Sequence, residues 1–175
     1  MLVNTIFESA VEHLFDVTKR FADGLEAAGI PYRVVGGLAV FVHVDLVDPM
    51  AARLTKDVDV AVDCKHLDRI RAALEPCGFT YRHAAGVDMF LDAQNPAARR
   101  AIHIEYVPAS HSIRAKEGFL IAPVEDLARM KLTSFRLRDK VHIQDLDSVG
   151  LITPQIEAAL SEALGERLKE VRASE

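Results

Sequence analysis

The chain has 175 residues, half of them hydrophobic, and a formal net charge of -5 at pH 7. That length and apolar content are enough for one continuous core, so a single domain over 1-175 is expected. The acidic balance weighs against a protein that grips nucleic acid across a broad basic face, because phosphate neutralisation supplies most non-specific affinity. No stretch is long and apolar enough to span a bilayer. Met1 to Glu12 carries Glu8 and Glu12 among its apolar positions, which does not read as a signal peptide. Cys64 and Cys77 have neither the number for a disulfide framework nor the spacing of a zinc site. A reducing cytoplasm is the expected location.

From Asn4 onward, Ile6, Phe7, Ala10, Val11, Leu14, Phe15, Phe21, Leu25 and Ala28 recur at helical spacing, predicting an amphipathic helix that ends at Gly29. Tyr32 to Val35 predicts a short strand running into Gly36-Gly37, and Leu38 to Val47 a helix after that tight turn. Lys56 to Val62 alternates, with Val58, Val60 and Val62 on one face and Asp57, Asp59 and Ala61 on the other. That is the pattern of a half-buried strand. His66 to Leu74 predicts a helix stopped by Pro76 and Gly78. Phe79 to Val107 predicts strands broken at Ala84-Gly86 and at Asp92 to Ala97, ending in the strand Ile102 to Val107.

Phe119 to Ala122 leads into Pro123 as the first position of a helix running to Leu137. A helix around Asp139 to Ser148 and one from Thr153 complete the chain. The fold class is therefore α+β, a small mixed sheet over about 30-122 flanked by helices, with a helical C-terminal third over about 123-172.

Asp57 and Asp59 lie two positions apart on a strand, so both side chains project from one face. Adjacent carboxylates repel unless a cation sits between them, and magnesium is the usual neutraliser where phosphates are also present. The pair suits metal-assisted phosphoryl or nucleotidyl transfer. It is equally compatible with solvated carboxylates on an exposed strand face. Gly36 and Gly37 let a backbone approach a triphosphate closely, or simply make a tight turn.

Val34-Val35-Gly36-Gly37-Leu38-Ala39, followed by Arg53-Leu54-Thr55-Lys56-Asp57-Val58-Asp59-Val60, resembles the nucleotidyltransferase signature of a glycine pair and then Arg-x-Thr-x-Asp-x-Asp. Small antibiotic nucleotidyltransferases and the toxin-type AbiEii/AbiGii family share this pattern. Val124 to Leu132, Arg138-Asp139-Lys140 and Gln144-Asp145-Leu146 are similar to the helical segment that follows the catalytic sheet in AbiEii-like proteins.

The resemblance implies a nucleotidyltransferase (DNA polymerase beta-like) fold. It also implies Mg2+-dependent transfer of a nucleoside monophosphate from an NTP to an acceptor hydroxyl, with two ions held by Asp57, Asp59 and a third carboxylate. Glu105 is the candidate for that third place, where the family more often carries Asp. Gly36, Gly37, Arg53, Thr55 and Lys131 are implied around the nucleotide, with Lys131 facing the cleft. His103 shares a strand face with Glu105 and is a candidate for tuning proton transfer.

RNA (including the tRNA end), a protein or a small molecule is implied as acceptor, and a cognate antitoxin as a partner. The alternative is a catalytically inactive nucleotide-binding or partner-binding module of the same fold.

Overall fold

A computed structural model describes residues 2–96, 101–108 and 110–174, with side chains described from Ala10 onward. Met1, Ala97 and the side chains of Ile6, Phe7 and Glu8 thus lie outside the described residues. Two units compose the chain, one of Met1–Leu38 with Leu54–Ile121 and one of Ala39–Arg53 with Ala122–Glu175. No helix among the described residues is long and apolar enough to cross a membrane.

The first unit opens with α1 (Leu2–Ala27), close to the bounds its apolar spacing predicts. Val17, Phe21, Ala22 and Leu25 form its buried stripe. The Phe21 ring meets Phe79 and Phe90 edge-on, with centroids 5.2 and 5.5 Å away. A Cβ at Gly24 would lie 2.9 Å from Cys77 Sγ and 3.0 Å from Leu74 Cδ2, so any larger residue there must push those two side-chain ends aside. The helix stops at Gly29, whose φ of 61° is left-handed, and the Ile30 N–H then closes the turn on the Leu25 carbonyl.

Seven strands follow: β1 (Tyr32–Val35), β2 (Val58–Val62), β3 (Phe79–Ala84), β4 (Val87–Asp92), β5 (Ile102–Tyr106), β6 (Ile113–Arg114) and β7 (Leu120–Ile121). They form one sheet in the order β3-β4-β5-β2-β1-β7-β6. β2 pairs with β5 and β1 with β7 in parallel, and the remaining pairs are antiparallel. The mixed sheet expected from the sequence is therefore present. A short 3-10 turn (Cys64–His66) precedes α3 (Leu67–Leu74), which begins one residue after the predicted His66 and ends where predicted. The two-residue strand β6 has no counterpart in the sequence reading, because two exposed residues at a sheet edge leave no periodicity to detect.

The helix α2 (Gly36–Val47) begins in the first unit and continues into the second. It is apolar on all sides, and Leu38 to Val42 and Val44 are buried accordingly. The second unit continues with α4 (Val124–Ser134), α5 (Leu137–Ser148), α6 (Pro154–Ala158) and α7 (Glu162–Ala173). Several boundaries differ from the sequence reading: α2 begins at Gly36 rather than Leu38, and α5 at Leu137 rather than Asp139. Pro123 is the N-cap of α4 rather than its first residue, with ψ at 155°. That helix ends at Ser134 instead of Leu137, because Phe135 turns left-handed at φ 51°. The helix predicted from Thr153 is two helices, each with its own cap, Thr153 accepting from the Ile156 N–H and Ser161 from the Leu164 N–H.

Leu127, Leu132, Ile143, Leu146, Leu168 and Val171 are buried within this unit. Arg167 donates to the carbonyls of Leu132 and Thr133 at 2.6 and 2.8 Å, satisfying acceptors that the end of α4 leaves open.

Candidate active site

Strand register assembles the site in the first unit. On β2, Val58, Val60 and Val62 face the core, which leaves Asp59 on the opposite side, and Asp57 immediately precedes the strand, near enough for its charge to act on His103. Across the antiparallel β1 pair, Asp59 is opposite Val35, and Val35 is followed at once by Gly36, the first residue of α2. Strand thus passes to helix with no intervening loop. Gly36 makes that turn at φ 67°, and a Cβ there would collide with the Asp59 carboxylate. The glycine pair and the second aspartate, distant in sequence, are therefore one packed feature. A carboxylate beside a helix N-terminus lies at the positive end of the helix dipole, which offsets part of its charge.

Thr55 points its hydroxyl at the backbone of Asp57, 3.3 Å from the N–H and 3.4 Å from the carbonyl oxygen. In this position it braces the turn that presents Asp57.

On the other side of β2, the parallel pair with β5 places His103 directly across from Asp59 and Glu105 across from Ala61. His103 Nδ1 is 3.5 Å from Asp59 Oδ1. That bond to Asp59 holds the imidazole above its ordinary pKa; burial opposes the shift, and the charges of Asp59, Asp57 and Glu105 reinforce it. Two rows of residues consequently run across this face of the sheet. One reads Val35, Asp59, His103 and Met89, and the next reads Arg33, Ala61 and Glu105.

Arg33 is a site-face residue the sequence reading did not single out. Its side chain is almost wholly buried, and Nη1 donates to the His111 carbonyl at 2.9 Å. The signal available was a charge inside an otherwise apolar strand, Tyr32-Arg33-Val34-Val35. Which row it joined depended on pairing alone.

Arg53 and Lys131 belong to the second unit, and each is bonded to an aspartate there. Arg53 Nε lies 3.0 Å from Asp145 Oδ1, with the arginine side chain 68% exposed. Lys131 Nζ donates to Asp139 Oδ1 at 3.0 Å. Asp139 also accepts from the Ser134 hydroxyl and the Arg136 N–H. Burial pushes the Asp139 carboxyl up, but the Ser134 and Lys131 bonds outweigh it and leave the group below its ordinary value. Within its own unit, Asp139 thus ties the end of α4 to the start of α5.

Among the described residues, no group of three His, Cys, Asp or Glu side chains is gathered for a metal ion. The Asp57–Asp59 pair nevertheless fits magnesium in one common mode, through one or two carboxylates together with substrate phosphates.

No protein-family model matches the chain, and no curated protein sequence matches it. Solved structures do resemble it. An antigenic nucleotidyltransferase-like protein from Paracoccidioides brasiliensis superposes with a TM-score of 0.62 at 17% identity, covering 93% of this chain and 88% of that one. The antibiotic-resistance factor ANT(2'')-Ia superposes with a TM-score of 0.50 at 12% identity, covering 91% of this chain and 83% of that one. The fold is thus the nucleotidyltransferase fold, a mixed sheet flanked by helices with a helical C-terminal region.

Proposed function

We propose that the protein is a divalent-metal-dependent nucleotidyltransferase, moving a nucleoside monophosphate from an NTP to an acceptor hydroxyl. One observation carries this reading: Asp59, at the head of β2 and two residues after Asp57, is packed against Gly36 where α2 begins, and the charges of both aspartates act on His103. A carboxylate pair beside a helix N-terminus presents ligands for a cation and backbone donors for anionic oxygen within one small region.

In the proposed reaction, the acceptor oxygen bonds to the α-phosphorus, the bond from that phosphorus to the bridging oxygen breaks, and pyrophosphate leaves. The amides of Gly36 and Gly37 are assigned to the triphosphate oxygens, which a side chain at either place would keep at a distance. Asp57 and Asp59 are assigned to Mg2+, which when bound would polarise the phosphoryl group and acidify the attacking hydroxyl. Glu105, exposed on the same face, is assigned the hydroxyl proton. The resemblance to AbiEii/AbiGii proteins points to RNA or protein as acceptor, with a cognate antitoxin as partner. A small-molecule acceptor is the second choice.

The test is incubation of the pure protein with each α-labelled NTP, magnesium and pools of RNA, protein or aminoglycoside, beside the Asp57→Ala, Asp59→Ala double variant. Label should pass to one pool, and the double variant should lose at least about a hundredfold in rate. Transfer that persists in the double variant would defeat the assignment. Calorimetric nucleotide binding without any transfer would favour a binding module of the same fold.

A further inference from the structure

We infer that the site holds one divalent cation with its nucleotide, in place of the two that the resemblance implies, because residue 103, directly across from Asp59, is a histidine. The inference rests on the proposed function and concerns the same site. A two-ion centre needs a third anionic ligand close to the aspartate pair. Neighbouring strands lie about 5 Å apart, so the nearest position another strand can offer Asp59 is its register partner. Its partners are Val35 on β1, which carries no ligand atom in its side chain, and His103 on β5, with Nδ1 3.5 Å from Asp59 Oδ1. An imidazole in this place adds no negative charge to hold a second dication.

Glu105 does not fill the gap. β2 and β5 run parallel, so Glu105 lies one pleat beyond His103 in the direction away from Asp57. Its Cα is on the order of 8 Å from that of Asp59 and about 14 Å from that of Asp57, from the strand spacing and the rise per residue. Its immediate row neighbour is Ala61, with the buried Arg33 one strand further on, so the row offers no second carboxylate beside it. The same geometry leaves no three-ligand group among the described residues. A second ion would have phosphate oxygens but no carboxylate of its own.

Equilibrium dialysis with Mn2+ and a non-hydrolysable α,β-methylene NTP analogue tests this. The ratio of excess Mn2+ to excess nucleotide in the protein chamber counts the ions per bound nucleotide. The wild-type chain should give a ratio of one, and His103→Asp, checked for folding by circular dichroism, should raise it to two. A wild-type ratio of two overturns the inference and leaves the proposed function standing. A ratio of one in folded His103→Asp also overturns it, since residue 103 would then not decide the count. If nucleotide fails to accumulate with the wild-type chain, the proposed function falls and the inference falls with it. The wild-type count decides the question even if the variant does not fold.

Discussion

Asp59 and Asp88 are both sheet aspartates with a histidine as cross-strand partner, yet their surroundings differ in a way that separates the carboxylate proposed as a metal ligand from one bound up in the sheet. Asp88, on β4, accepts from the Tyr81 hydroxyl, from His83 Nδ1 and from the Tyr106 hydroxyl, each at 2.6 Å. Those bonds, Tyr106 first and then Tyr81 and His83, pull its pKa down to about 2 against a small opposing effect of burial. Both oxygens are thereby engaged, and the Tyr81 ring is itself covered by Arg71, 4.6 Å from its centroid. Asp59 has its histidine at 3.5 Å instead of 2.6 Å, beside a neighbouring aspartate and the glycine turn of α2. A carboxylate saturated by three protein donors fixes the sheet; one left loosely held beside another carboxylate is available to a cation.

The largest effect that would sharpen this contrast comes from Gly36→Ala. The new methyl group meets the Asp59 carboxylate and forces a left-handed φ on alanine, which costs about 1–3 kcal/mol in denaturant unfolding. Displacing Asp59 should also lower the transfer rate about a hundredfold. Wild-type transfer in a folded Gly36→Ala chain would show that the packing of Asp59 on the turn is irrelevant to the chemistry.

Asp88→Asn should behave in the opposite manner, losing about 2 kcal/mol of stability with unchanged transfer per folded molecule. Its pH dependence carries a definite sign. The folded-state pKa is depressed, so the stabilisation is fully present above the unfolded carboxyl pKa of about 4 and is lost as pH falls toward about 2. Unfolding curves between pH 5 and 2 should show that loss in the wild type, and a shallower one in Asp88→Asn. Equal slopes would remove Asp88 from this role.

The smallest effect is expected from His83→Ala. The imidazole is 57% exposed, and Asp88 keeps both tyrosine hydroxyls when it is removed, so less than about 1 kcal/mol should be lost. A larger loss would place the histidine, not the tyrosines, at the centre of the Asp88 cluster.

Much of the fold is legible in local pattern. β1 spans Tyr32–Val35 as predicted, and β2 falls within Lys56 to Val62 because alternating valines need one apolar face. Long helices such as α1 announce themselves through repeated apolar spacing. Boundaries set by caps were less legible. Phe135 carries no sequence signal for a left-handed conformation, which glycine or asparagine would have given. The break before α7 rests on one serine bonding the Leu164 N–H, inside a run whose composition favours continued helix.

The alternation around Asp59 and the sharp passage from strand to helix at Gly36 are legible in the sequence alone, because both follow from the geometry of a few consecutive residues. Only the tertiary structure decided that the turn packs on Asp59, that His103 and not Glu105 stands across from that aspartate, and that Arg33 joins the row of Glu105. Each of those outcomes depends on the register between strands far apart in the chain. A shift of one residue sends a side chain to the other face, and a shift of two moves it to the next row.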